Sequence, residues 1–357
     1  MKTFEPTILG NRKLNNKIVM APLTRCRAIN NTPNELMKTY YTQRATAGLI
    51  ISEGTSPSPN GLGYARMPGA YTDEQVQGWK SIAEGVHQEG GTFYIQLMHA
   101  GRVASQLNLP DDGRIISPSG VHLDSGEMYT DSKGFQPHDI PEEMTIEDIV
   151  ATKEEFIKSA EKLIKAGVDG IELHAANGYL LEQFINPKTN LRTDKYGGNY
   201  KNRARFIIEL AYELGRAIGN DKVGIRFSPY SVFNDMQGEY EDLIDIYTYL
   251  ADELGSLGLA YVHIVDQTVA MNAPEFATDI KRTIKNAFEG TVIVGGNVHS
   301  TSQIENHLNE GYDLVYIGRP FISNPNLVEK LKTNGTLTQP DFETFYTADA
   351  IGYTDYI

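Results

Sequence analysis

Cysteine is nearly absent from this chain, which carries only Cys26. A lone thiol excludes an internal disulfide and any multi-cysteine metal or iron–sulfur site. Long apolar runs are missing too, and none approaches the ~20 residues that cross a bilayer. The opening residues, Met1 to Pro6, lack the apolar stretch of a signal peptide. Positive charge is scarce. Lys and Arg total 32 against 46 Asp and Glu, a net charge of −14, and an acidic surface repels phosphate backbones. No His-x-His or His-Glu-x-x-His run occurs, which argues against a zinc or di-metal hydrolase. The segment Gly61-Leu-Gly63-Tyr-Ala-Arg66 fails the dinucleotide fingerprint, because its third glycine is missing and no helix follows. These absences point to a cytoplasmic enzyme acting on small molecules, with no metal, no nucleic-acid partner and no membrane association.

What is present is a soluble composition with enough apolar residues for a large core: 357 residues, 40% hydrophobic and 22% charged. Eight short runs rich in Val and Ile stand out: Lys17–Met20, Gly48–Ser52, Thr92–Leu97, Gly170–His174, Val223–Phe227, Ala260–Val265, Thr291–Val294 and Leu314–Ile317. They are continuous rather than alternating, as strands buried on both faces are. Helical patterns lie between them. Thr145–Ala166 carries Ile149, Phe156, Ala160, Leu163 and Ile164 on one stripe, with a capping-box start at Thr145 and Asp148 and a stop at Gly167. Glu241–Leu257 carries a second stripe through Leu243, Ile246, Leu250, Leu254 and Leu257. Further helices are expected over Asn34–Ala47, Glu74–Glu89, Asn202–Ile218, Pro274–Ala287, Thr301–Glu310 and Asn324–Leu331.

Eight alternations of strand and helix define an α/β fold, a (β/α)8 TIM barrel. The bare barrel needs about 250 residues. The excess falls in an N-terminal cap (residues 1–16), a long Pro, Gly, Ser and Asp-rich excursion after strand three (residues 100–144) and a C-terminal tail (residues 332–357). No linker divides the chain, so residues 1–357 read as a single domain.

Barrel chemistry takes place at the C-terminal ends of the strands. Strands seven and eight end in Gly295-Gly296-Asn297 and Gly318-Arg319-Pro320. Glycines there let backbone N–H groups approach a phosphate closely, and Arg319 can clamp its oxygens. No lysine stands at a strand end, which weakens a Schiff-base aldolase. A phosphate-bearing cofactor in the barrel mouth fits these residues.

The same strand ends carry recognisable segments. They are Ala21-Pro-Leu-Thr-Arg25, Tyr40-Tyr-x-Gln-Arg-Ala-x-Ala-Gly-Leu-Ile-Ile-Ser-Glu53, Gln96-Leu-x-His-x-Gly-Arg102, Asp169-Gly-x-Glu-x-His-x-Ala-Asn-Gly-Tyr-Leu180, Asp194-x-Tyr-Gly-Gly198 and Gly352-Tyr-Thr-Asp-Tyr356. In this order and at this spacing the chain resembles the Old Yellow Enzyme family, FMN-dependent NAD(P)H-oxidising ene-reductases, nearly from end to end. The resemblance implies bound FMN, with NADPH or NADH as reductant. It also implies an activated alkene, quinone or nitro compound as oxidant, and a monomer or weak homodimer.

Residue by residue, the resemblance implies that Pro22, Leu23 and Thr24 line one side of the flavin, with the Thr24 hydroxyl tuning its potential. Gly54 leaves room for the ring. Gln96 meets the pyrimidine edge with both donor and acceptor, and Arg226 stabilises the anionic reduced flavin. Gly296, Asn297, Gly318 and Arg319 hold the phosphate. His174 and Asn177 donate to the substrate oxygen, and Tyr179 protonates the α-carbon. Many relatives carry His-His where this chain has His174 and Asn177; both side chains donate, so the chemistry survives. Tyr64 and Tyr346 shape the substrate mouth. His99 and Arg102 are structural.

Two departures from the family pattern matter. Met98 stands where relatives carry an aromatic residue, which softens one pocket wall and admits bulkier substrates. Cys26 is expected to be a small buried hydrophobe without a redox role. Two other readings compete: a non-redox barrel using Glu53 as base, and a flavin-binding sensor without turnover.

Overall fold

In the computed structural model, residues 1–268, 273 and 279–357 are described. Eight parallel strands close on themselves: β1 (Ile18–Met20), β2 (Leu49–Ile51), β3 (Phe93–Leu97), β4 (Gly170–Ala175), β5 (Val223–Phe227), β6 (Tyr261–Ile264), β7 (Val292–Gly295) and β8 (Leu314–Ile317). Each lies on one of the eight expected runs. Among the described residues the α-helices are α1 (Glu35–Thr42), α2 (Asp73–Gln88), α3 (Ile146–Lys165), α4 (Leu180–Ile185), α5 (Tyr200–Ile218), α6 (Leu243–Ser256), α7 (Ile280–Phe288), α8 (Thr301–Asn309), α9 (Pro320–Ser323) and α10 (Leu327–Thr333). Helix α7 lies on the expected helix Pro274–Ala287, whose first residues, 274–278, fall outside the described residues.

Local chemistry sets the helix ends. Thr145 and Asp148 cap α3 reciprocally: each side chain accepts the other's backbone N–H. Gly167 then takes a left-handed φ of 104° where the chain leaves the helix. Helix α1 is shorter than the expected Asn34–Ala47. Asn34 is its N-cap, and after Thr42 the chain turns through Arg44 and Ala47 to enter β2. Helices α4 and α9 were not foreseen, being too short to carry an apolar stripe.

Parallel register and pleat fix what fills the barrel. Inward positions recur every second residue. On β3, β4, β5 and β6 these are Tyr94 and Gln96; Gly170, Glu172 and His174; Gly224 and Arg226; Tyr261 and His263. The lower layer is filled by tyrosine rings. The Tyr94 and Tyr261 rings lie 5.9 Å apart, and each occupies the space beside a glycine. A Cβ on Gly170 would sit 2.3 Å from the Tyr94 ring, and one on Gly224 would sit 2.2 Å from Tyr261. The N-terminal cap is a hairpin, Thr7–Leu9 against Arg12–Leu14, whose Leu9 and Leu14 join Val19, Leu49 and Ile293 in plugging the barrel floor. The upper layer is polar, and there the barrel opens.

The excursion and the tail are both tied down by buried arginines. Arg102 donates to the carbonyls of Val121, His122, Asn234 and Asp235, and so anchors the excursion. The His99 ring accepts the Gly101 N–H. Arg25 donates to the carbonyls of Phe345 and Gly352. Arg27 donates to the carbonyls of Thr344, Phe345, Asp349 and Ile351. Arg44 reaches the carbonyls of Phe321, Ile322 and Tyr353. Tyr353 stacks on Tyr40 at 4.1 Å. The tail is thereby folded over the β1 side of the mouth.

Arg27→Leu removes donors from four tail carbonyls, of which that of Phe345 keeps another, from Arg25. It should cost on the order of 3 kcal/mol and make the segment after Asp341 the first site of limited proteolysis. Arg27→Lys should not restore the tail, because one ammonium cannot reproduce the guanidinium fork. Thermal unfolding together with mapping of the cleavage site checks both statements.

Candidate active site

Nine of the residues singled out in the sequence line one cleft at the C-terminal mouth: Pro22, Thr24, Gly54, Gln96, Met98, His174, Asn177, Tyr179 and Arg226. They come from the ends of β1 to β5, so closure of the barrel brings them together. Glu53 is not among them. Its buried carboxylate accepts from the Arg25 N–H and the Tyr41 hydroxyl, which leaves the non-redox reading without its base.

The cleft floor is a polar layer. Gln96 Nε2 donates to Glu172 Oε1 at 2.7 Å, and His263 Nδ1 lies 2.9 Å from Glu172 Oε2. Burial pushes the His263 ring down to about 4, so the imidazole is neutral and donates to the carboxylate. Glu172 is held below its ordinary value by His263 and Arg226, against the opposing effect of its burial. Arg226 is buried over the Tyr316 ring, 5.8 Å from its centroid. Its Nε has no hydrogen-bond partner among the described residues. Gln96 therefore commits one amide hydrogen to Glu172, and its oxygen and second hydrogen stay available.

The donor pair stands above this floor. His174 is buried, and burial, reinforced by Arg226, holds its ring well below its ordinary value, so it is neutral. Its Nδ1 also lacks a described partner. Asn177 and Gly178 both adopt left-handed φ, 58° and 76°, which turns the chain sharply between β4 and α4. The turn is held from beneath. Asn177 N–H donates to Ser228 Oγ at 2.8 Å, and Ser228 and the Gly178 N–H both donate to Glu182 Oε2. Tyr179 follows. Its hydroxyl lies 2.7 Å from that of Tyr64, and burial pushes its phenol up to about 12. Tyr64 thus touches Tyr179 directly rather than only shaping the mouth. Tyr346 stands at the rim with its ring largely exposed, edge-on to Phe345.

The other end of the cleft is a cradle of backbone. Gly296 and Asn297 follow β7 with φ of 101° and 47°. Gly318 and Arg319 follow β8. The N–H groups of these four residues have no described acceptor. A Cβ on Gly318 would meet only Leu23, at 3.7 Å, so the space in front of it is open. At Gly54, by contrast, a Cβ would sit 2.7 Å from Met98 Sδ, so these two residues are matched. Unengaged N–H groups beside the exposed Arg319 suit a phosphate. Unengaged Arg226 Nε and Gln96 Oε1 suit the polar edge of a flavin. The residues present fit FMN. Cys26 is buried, with its thiol pushed up to about 12, as an inert cysteine is.

Sequence reasoning passed over Glu172, Glu182, Ser228, His263 and Gln267. Strand parity alone places Glu172 beside His174 on the inner face. The others reach the site only through the closed topology.

A barrel whose mouth joins an anion cradle to a layer of hydrogen-bond donors describes a class of cofactor-dependent enzymes, and comparison with known proteins specifies which. Residues 2–337 match the NADH:flavin oxidoreductase / NADH oxidase family, and the chain belongs to it. It is 38% identical over 365 residues to a chanoclavine-I aldehyde reductase of Penicillium roqueforti, covering 99% of this chain and 96% of that one. It is 35% identical over 370 residues to 12-oxophytodienoate reductase 7 of Oryza sativa subsp. japonica, covering 99% and 93%. Among solved structures, morphinone reductase superposes with a TM-score of 0.95 at 37% identity over 99% of this chain and 96% of that one. That enzyme has also been solved in complex with tetrahydroNAD. The protein is a flavin-dependent oxidoreductase of the ene-reductase type, with FMN as cofactor and NAD(P)H as reductant. Among the described residues, no helix is long and apolar enough to cross a membrane.

Glu182 yields a pH prediction. Burial pushes its carboxyl up to about 8. A group whose folded value is raised contributes its full stability below its unfolded value, about 4.5, and loses that contribution as the pH climbs to the folded value. Above pH 6.5 the buried histidines are mostly neutral in both states and add little slope. Thermal stability should therefore fall from pH 6.5 to 8. Glu182→Gln keeps the hydrogen-bond acceptor without the charge, so its curve should be flatter over that window, as scanning calorimetry would show.

Proposed function

We propose that the protein reduces activated alkenes: α,β-unsaturated carbonyl compounds, maleimides and quinones, and by the same polarisation nitro compounds or nitrate esters. NAD(P)H and the alkene use one site in turn. The observation that supports this most is the convergence in one cleft of two neutral donors, His174 and Asn177, with the phenol of Tyr179 and the cation of Arg226.

When bound, FMN would supply the hydride-transfer chemistry that links the nicotinamide to the alkene. Pro22, Leu23 and Thr24 would hold one side of its ring. Gln96 and Arg226 would hold the pyrimidine edge, beside the room that Gly54 leaves. Gly296, Asn297, Gly318 and Arg319 would bind the phosphate. Arg226 is a permanent cation where negative charge develops, and so favours the reduced state. His174 and Asn177 bind the carbonyl or nitro oxygen and draw electron density from the double bond, so the β-carbon accepts hydride. Tyr179, kept protonated by burial, delivers its proton to the α-carbon. The Tyr64 hydroxyl, 2.7 Å away, orients that phenol and shares the charge left on it. Tyr64, Met98 and Tyr346 border the substrate, with Met98 as the deformable wall.

Tyr179→Phe should slow the reduction of 2-cyclohexenone by the pre-reduced enzyme by roughly 10²-fold or more. Reduction of the oxidised enzyme by NADPH should stay within about threefold. Stopped-flow absorbance separates the two half-reactions, and an unchanged enone rate would remove Tyr179 from its role. Met98→Trp should lower kcat/KM for ring-substituted enones by roughly tenfold while sparing the unsubstituted ring, because a rigid indole cannot yield as a thioether does. A variant with unchanged substrate range would sink that assignment.

A further inference from the structure

An amide side chain can present either end. The oxygen and nitrogen of Asn177 are nearly equal in size, and rotation about χ2 exchanges them. An enone oxygen only accepts hydrogen bonds, so the two orientations have opposite value for catalysis. The backbone of Asn177 cannot decide between them. It is already fixed by its N–H to Ser228 Oγ and by its carbonyl, which accepts from Asn234 Nδ2 at 2.8 Å.

Gln267 lies on the loop after β6, is buried, and belongs to none of the segments that mark the family. Its Nε2 donates to Asn177 Oδ1 at 2.7 Å. Its own Oε1 accepts from the backbone N–H of Val232 at 3.4 Å. That last group can only donate. It therefore sets the direction of the whole relay: Val232 N–H to Gln267 oxygen, Gln267 nitrogen to Asn177 oxygen, and Asn177 Nδ2 left for the cleft.

We propose that Gln267 is a positioning residue that fixes the polarity of the Asn177 amide, holding a donor toward the substrate oxygen. This rests on the reading that Asn177 binds that oxygen. The consequence is selective. An enone cannot adapt to an inverted Asn177. The carboxamide of a nicotinamide both donates and accepts, and adapts by turning over. Gln267 thus serves the oxidant's half of the reaction and leaves the reductant's half nearly untouched.

The test uses oxidised holoenzyme without reductant, so that an enone binds but does not react. 2-Cyclohexenone, which only accepts, and nicotinamide, which does both, are titrated by the change in flavin absorbance. Both are neutral, so a charge at position 267 repels neither. Three variants are compared at pH 9: Gln267→Met, which keeps the length and loses the polarity; Gln267→Glu, whose ionised carboxylate demands the Asn177 Nδ2; and Asn177→Ala. For Gln267→Glu the enone Kd should rise roughly tenfold and the nicotinamide Kd less than about twofold, with Gln267→Met in between at roughly threefold for the enone. Asn177→Ala should weaken the enone at least as much as Gln267→Glu. Equal weakening of both ligands by the Met and Glu variants would make Gln267 merely structural and overturn the proposal. So would tight enone binding in both Gln267 variants while Asn177→Ala loses it. If Asn177→Ala binds the enone normally, the reading of Asn177 itself fails, and the proposal falls with it.

Discussion

Arg226 is a guanidinium buried at the floor of the cleft, and the middle of the barrel is arranged around its charge. Left alone, such a group is costly to bury. Glu172, on the adjacent strand, supplies the opposite charge, yet it does not engage Arg226 in a direct ion pair among the described residues. Its oxygens are occupied by Gln96 and His263. The carboxylate therefore acts on Arg226 through space, and the Nε of the cation stays uncommitted. This is a compromise between stability and use. A direct pair would neutralise the cation, and the absence of any anion would make it intolerable. Both neutral histidines near it, His174 and His263, owe their neutrality in part to the same charge.

A second constraint comes from the far end of the chain. Barrels leave their mouths to loops, and loops need external support. Here the support is a set of arginines following β1 and α1, whose donors are aimed at main-chain carbonyls instead of carboxylates. Main-chain carbonyls cannot be titrated away, so the tail stays in place over a wide pH range. Arg66 extends the same logic. It donates to the carbonyls of Cys26 and Tyr346, while also pairing with the Asp131 carboxylate, and ties the rim of the cleft to the segment after β1 that carries Thr24.

The architecture was legible because buried parallel strands write themselves as continuous apolar runs, and eight of them leave few alternatives. The residues that touch the cleft were legible because they fall in ordered segments at strand ends. What escaped was of two kinds. Short helices such as Leu180–Ile185 carry no period long enough to read. Partners of functional residues escaped because they are remote in the chain: Gln267 meets Asn177, Ser228 meets the same residue's N–H, and Tyr64 meets Tyr179, each from a different strand end. Arg25 stood inside a recognised segment, yet its role as a tail anchor depends on where residues 345 and 352 return, and no local pattern records that.

Those remote partners share a single effect. Asn177 Oδ1 is covered by Gln267. Ser228 Oγ is covered by the Asn177 N–H, and the Glu182 carboxyl by Ser228 and Gly178. The acceptors around the substrate position are thus satisfied from behind, out of the cleft. What faces inward is a set of donors: the His174 imidazole, Asn177 Nδ2, the Tyr179 phenol and the Arg226 guanidinium. A site so composed rewards a ligand for each lone pair it brings and offers little to a hydroxyl or amine seeking an acceptor. The selectivity proposed above for electron-poor, oxygen-bearing alkenes would then follow from the direction in which the supporting hydrogen bonds run, more than from the shape of the cleft.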